Sequence, residues 1–107
     1  ANDAYYVNSW RRKIDNTGRI NYPREAESCF NDCSLRLLVS IHPDGTINKL
    51  TVLESSGKKV LDDAAIRIVR RSAPFAPFTE EMKQDIDLLE IIRTWKFKGN
   101  RYMTDVN

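Results

Sequence analysis

Few residues in this chain could do covalent chemistry. His42 is the only histidine. It stands in His42-Pro43-Asp44-Gly45 with no nucleophile and no second ligand beside it, which suits a turn-flanking residue better than a base or a metal ligand. Ser55 and Ser56 run into Gly57 without a nucleophile-elbow pattern. They read as turn or helix-capping residues. Cys29 and Cys33 are the two cysteines. Without partner histidines they do not complete a zinc site, and their spacing is wider than the Cys-x-x-Cys of redox motifs. Two readings stay open: a short-loop disulfide, which needs a sharp backbone turn, or two buried thiols acting as small core residues. Two basic clusters, Arg11-Arg12-Lys13 and Arg67, Arg70, Arg71, fall late in expected helices, where they complement the macrodipole without a ligand. No metal, cofactor or catalytic set is expected. What remains is non-covalent chemistry, and that depends on which backbone the fold leaves exposed.

The elements that must position such a surface follow from the pattern. With 107 residues, 41% hydrophobic and 30% charged, the chain is expected to form a single domain over residues 1–107, with its core at about 4–98. A net charge of +2 argues against a nucleic-acid partner. No apolar run approaches the roughly 20 residues of a membrane-spanning helix, and no secretory leader pattern is present.

Tyr6, Trp10 and Ile14 recur four apart and predict a helix over 3–14, stopped by Asn16-Thr17-Gly18. Arg19 to Tyr22 is expected to be extended, because the residue before Pro23 avoids the helical region. Pro23 then opens a short helix over 23–28, and Phe30-Asn31-Asp32 is a turn. Leu35, Leu37, Val39 and Ile41 alternate with more polar residues and predict a strand over 34–41. His42-Pro43-Asp44-Gly45 makes a hairpin turn. A second strand over 46–53 has no clean face, which suggests an edge. Leu61, Ala64, Ala65, Ile68, Val69 and Ser72 form the buried stripe of a helix over 58–72, capped by Ser55 or Ser56, with Asp63–Arg67 as an i,i+4 pair. Ala73-Pro74-Phe75-Ala76-Pro77-Phe78 cannot continue the helix, and its phenylalanines require cover. Residues 79–85 are a turn or a short helical piece. A third strand covers 86–97, with a short further strand at Tyr102-Met103.

This order gives an α+β two-layer fold: a three-stranded antiparallel sheet, order 2-1-3, with helices packed on one face. The third strand is left with a free edge, and proteins that keep a long edge often use it to recruit a partner strand.

Seven motifs in order then resemble one family. They are Tyr22-Pro23-Arg24-Glu25-Ala26, the alternating strand, Pro43-Asp44-Gly45-Thr46-Ile47, Leu53-Glu54-Ser55-Ser56-Gly57, Leu61-Asp62-Asp63-Ala64-Ala65, Ala73-Pro74-Phe75-Ala76-Pro77-Phe78 and Arg93-Thr94-Trp95-Lys96-Phe97. The series is similar to the C-terminal domain of the TonB energy transducers. The resemblance implies a periplasmic receptor-binding module that is not an enzyme. It implies a membrane anchor and linker outside this fragment, fixed in the inner membrane. An ExbB/ExbD-type motor would engage that missing part. The implied partners are TonB-dependent outer-membrane receptors for siderophores, haem or vitamins, whose short TonB box adds as a strand.

Carried over by position, the implied contact residues are Arg19, Ile20, Asn21, Tyr22 and Pro23, with Glu90, Ile91, Ile92, Arg93, Thr94, Trp95, Lys96 and Phe97 along the third strand. Two departures stand out. Arg19 falls where relatives often have glutamine, and Cys33 where many have glycine. The oxidising periplasm implied by the resemblance favours a Cys29–Cys33 disulfide. The alternatives are a TolA-like periplasmic adaptor, or a TonB paralogue serving surface machinery. An exposed third strand could also pair with a second copy, giving a homodimer.

Overall fold

The computed structural model describes residues 3–21, 23–24, 26, 33–98 and 101–104. Seven elements follow in order: α1 (Asp3–Ile20), β1 (Cys33–Ile41), β2 (Ile47–Glu54), α2 (Lys59–Ser72), α3 (Glu80–Asp85), β3 (Leu89–Lys98) and β4 (Arg101–Thr104). The sheet order is β2-β1-β3-β4 and every pairing is antiparallel. The expected 2-1-3 order is present, and the short segment around Tyr102-Met103 adds a fourth strand beside β3.

One face of the sheet makes the core. Leu35, Leu37, Val39 and Ile41 of β1, with Ile91, Trp95 and Phe97 of β3, meet Tyr6, Trp10 and Ile14 of α1 and Leu61, Ala65, Ile68 and Val69 of α2. The predicted α2 stripe, including Ala64 and Ser72, is buried throughout. Small side chains at Ala64 and Ala65 leave room for the helix to lie close on its neighbours.

Four local expectations change or gain detail. First, α1 runs past Asn16-Thr17-Gly18 to Ile20. Gly18 is buried four residues after Ile14, on the same stripe, so packing overrides the propensity cost of a helical glycine. Arg19 and Ile20 are therefore helical rather than extended. The steric rule before proline reaches only the residue next to it, here Tyr22, which lies outside the described residues. Second, of the segment 23–28 only Pro23, Arg24 and Ala26 are described. Ala26 N donates to Pro23 O at 3.1 Å, one tight turn. The expected turn at Phe30-Asn31-Asp32 lies outside the described residues.

Third, β2 has no clean face because of two register shifts. Ile41 faces Ile47 and Ser40 faces Lys49, so Asn48 is the extra residue. A second shift lies between Arg36 and Leu37. The bulge brings Ile47, Leu50 and Val52 to the same core-facing side, where all three pack against the core. Strand β2 is an edge of the sheet, as its pattern suggested. Fourth, β3 starts at Leu89, three residues later than expected, because α3 and its exit occupy the chain up to Ile86.

The entry to α2 also differs. Lys58 is the cap residue and makes no side-chain cap bond. Asp62, one turn in, reaches back instead. It accepts from Ser56 N at 2.9 Å, from Ser56 Oγ at 2.7 Å and from Ser55 Oγ. Asp63 pairs with Lys59 at 2.9 Å, not with Arg67.

Candidate strand-binding edge

The hairpin turn after β1 anchors the loop that leads to β3. Asp44 Oδ1 accepts from Thr46 N at 3.0 Å and Thr46 Oγ1 at 2.6 Å. These bonds hold the Asp44 carboxyl below its ordinary range. Gly45 has φ +89°, and its carbonyl accepts Phe75 N at 2.8 Å. Pro43 O likewise accepts Phe78 N at 2.8 Å. The Ala73-to-Phe78 loop is thus stitched to the turn by backbone bonds, and its two phenylalanines are buried.

Helix α1 closes the loop from the other side. Tyr6 Oη donates to Ala76 O at 2.7 Å, and its ring meets Phe78 edge-on at 5.4 Å. Burial pushes the Tyr6 hydroxyl up to about 12. Lys13 Nζ donates to Pro74 O and lies 5.7 Å from the Phe75 ring centroid. Thr79 Oγ1 then caps α3, accepting Met82 N at 3.1 Å. Together these contacts fix where the chain turns back into β3. An apolar cleft of about 470 Å³ lies between Tyr5 and Tyr6 of α1, Pro77 and Met82. Tyr5 is a feature the sequence reading passed over, because its ring lies off the buried stripe and is 83% exposed.

Strand β3 pairs with β1 along its length, from Leu89↔Ile41 to Phe97↔Cys33. On the outer side β4 pairs only with residues 95–98, from Trp95↔Thr104 to Lys98↔Arg101. Among the described residues, no strand covers the outer edge of residues 89–94. The expected contact strand is therefore divided. Glu90, Ile91, Ile92, Arg93 and Thr94 have an edge that no described strand covers. Trp95, Lys96 and Phe97 have theirs filled by β4, and the Trp95 and Phe97 side chains are in the core.

The other expected contact residues lie elsewhere. Arg19 and Ile20 end α1 and Asn21 follows in a turn, next to the end of α2: Arg71 donates to Asn21 Oδ1, Asn21 Nδ2 to Thr17 O at 2.9 Å, and Arg19 to Asn16. Ile20 is 84% exposed. Pro23 is buried. Cys33 is buried and opposite Phe97. No cysteine among the described residues is free, and Cys29 lies outside them. His42 donates and accepts through its backbone, closing the turn with Thr46 and Gly45.

Among the described residues no group of acidic, histidine or cysteine side chains could hold a metal, and no helix is long and apolar enough to cross a membrane. The fold is a small α+β module in which, among the described residues, the outer edge of residues 89–94 carries no paired strand. Residues 18–99 match the family of Gram-negative bacterial TonB protein C-terminal domains, and the chain belongs to that family. C-terminal domains of that family are periplasmic, non-enzymatic modules that interact with outer-membrane receptors. No curated protein and no solved structure matches the chain.

Proposed function

We propose that this domain is the receptor-binding end of a TonB-like transducer and takes an extended receptor segment as an added strand along residues 89–94 of β3. The observation that carries the reading is the half-covered edge: the described residues of β4 reach back only as far as Trp95, and no other described strand pairs with the outer edge of residues 89–94. Main-chain groups supply affinity in such additions, and alternate side chains supply specificity. The ladder tolerates changes of side chain, so the departure at Arg19 leaves it intact. In the full transducer an inner-membrane anchor and an ExbB/ExbD-type motor would pull on this domain, relaying proton-motive energy to siderophore, haem or vitamin receptors.

A TonB-box peptide from an outer-membrane receptor tests the reading by amide shift mapping. Shifts should concentrate at residues 89–94 and be small at residues 48–53 of β2. Proline at Thr94 removes one backbone donor and should weaken binding about tenfold, a loss within the usual worth of one well-made bond, while β1 amides keep their shifts. Shifts confined to β2, or unchanged affinity in Thr94→Pro, would place the partner on another surface. Protection of the same edge that grows with protein concentration would show a second copy there instead.

The Cys29–Cys33 disulfide belongs to the same proposal. It is supported by the absence of a free thiol at Cys33 and by the oxidising compartment. Thiol titration of the unreduced, denatured chain should find none, and two titrating thiols would remove the bond.

A further inference from the structure

Arg93 is a charged residue on the apolar side of the sheet. It shares a face with Leu89, Ile91, Trp95 and Phe97 and stands across from the buried Leu37. It also lies within the part of β3 whose outer edge β4 leaves open. Its Nη1 donates to the Ile92 carbonyl at 2.8 Å, one residue back on its own strand. Its Nε is buried and has no hydrogen-bond partner among the described residues. Among the described residues the ion pairs are Arg36–Glu54, Lys59–Asp63 and Lys83–Glu80, and none involves Arg93. The acidic residue nearest to it in β3, Glu90, points to the other face and sits opposite Ser40.

A desolvated donor with no acceptor costs stability, and the cost is relieved only when an acceptor arrives. Guanidinium carries five donors in a planar fork that matches a carboxylate. A strand added at residues 89–94 would place one side chain directly across from Arg93 on the same face. Opposed residues of this kind stand about 4.5–5.5 Å apart at Cβ, within reach of Asp or Glu.

We infer that Arg93 is the specificity residue of this edge, and that the strand it accepts carries a carboxylate at the position facing it. The inference rests on the strand-addition reading above. Arg93 gives up a bond to its own strand and gains a charge-assisted pair with the partner. A neutral amide at that position offers a single oxygen and no charge, and a lysine would be repelled.

The test uses two short extended peptides that differ only in Glu against Gln, with the position of the exchange moved along the peptide to find the register. Each is titrated into the unmodified domain, Arg93→Gln and Arg93→Lys. At one position the unmodified domain should prefer Glu about five- to tenfold, the range for a part-buried charge-assisted pair. Arg93→Gln should bind both peptides equally, with β1 amide shifts retained as proof of fold. Arg93→Lys should keep part of the preference. Peptides that shift the β3 amides but show no Glu preference at any position would overturn the carboxylate readout and leave strand addition standing. So would a preference that survives in Arg93→Gln. Peptides that shift no β3 amide would remove strand addition and the readout together.

Discussion

At the scale of single residues, Gly45 carries a constraint that its neighbours in the turn do not. Its φ is +89°, and a Cβ built on it would lie 1.9 Å from the Phe75 carbonyl oxygen, a backbone atom that cannot swing aside. Two separate costs would therefore meet in Gly45→Ala: a left-handed conformation for a residue with a side chain, and displacement of the loop that the turn holds. Left-handed strain alone is worth about 1–3 kcal/mol. The substitution should lower unfolding free energy by at least about 2 kcal/mol in urea titrations. Gly57→Ala is the control, because φ there is +86° with open space around the Cβ position. It should cost the strain without the collision. Equal losses in the two variants would show that the loop does not depend on the turn. Asp62 is a second residue with a defined task. Burial raises its pKa, but hydrogen bonds from Ser55 and Ser56 outweigh that and hold it below the ordinary value of 3.8. Its contribution to the α2 entry is present above that value and fades as pH falls through the folded-state one.

At the scale of elements, what could be read from the sequence follows the reach of each signal. The α2 stripe and the β1 alternation are local periodicities, and each survives intact because one face of each is wholly buried. The turn at Asp44-Gly45 is likewise local chemistry. The end of α1 was not legible: Asn16-Thr17-Gly18 is a stop signal by propensity, yet Gly18 is buried on the Trp10 and Ile14 stripe, a tertiary fact. The mixed faces of β2 revealed an edge, but the bulge at Asn48 that reconciles Ile47 with Leu50 and Val52 depends on pairing with β1. The candidate site divides the same way. An outer edge on β3 followed from strand order, whereas its coverage from Trp95 onward comes from β4, whose described residues have little pattern of their own. Arg93 was legible as a position. Its unmet Nε was not, because the demand of a buried donor appears only once its surroundings are known.

At the scale of the whole molecule, the family match and the folded unit do not coincide. The match begins at Gly18, but α1 begins at Asp3. Tyr6, Trp10 and Ile14 lie in the intervening part and are 7%, 2% and 0% exposed. They cover the phenylalanines of the loop, with Tyr6 against Phe78 and Trp10 against Phe75. Burying side chains of this size contributes about 1.5–3 kcal/mol each, so the three supply about 5–9 kcal/mol. Domains of this kind have only about 5–15 kcal/mol in total. A fragment cut at the family boundary, residues 18–107, should therefore lose cooperative unfolding. Its near-ultraviolet circular dichroism should collapse, and its amide spectrum should narrow. Strand content should persist in part, because β1 still pairs on both sides. A peptide spanning residues 1–17, added in excess, should restore the dispersed spectrum if the lost contacts are the cause. Trp10→Ala in the full chain gives the graded version, with an expected loss of about 3–5 kcal/mol. A dispersed spectrum and a sharp melt for residues 18–107 alone would show that the matched region is self-sufficient and that α1 is an accessory to it. In that case the fixed path of the Ala73-to-Phe78 loop into β3 would have to come from the Gly45 and Pro43 backbone bonds alone.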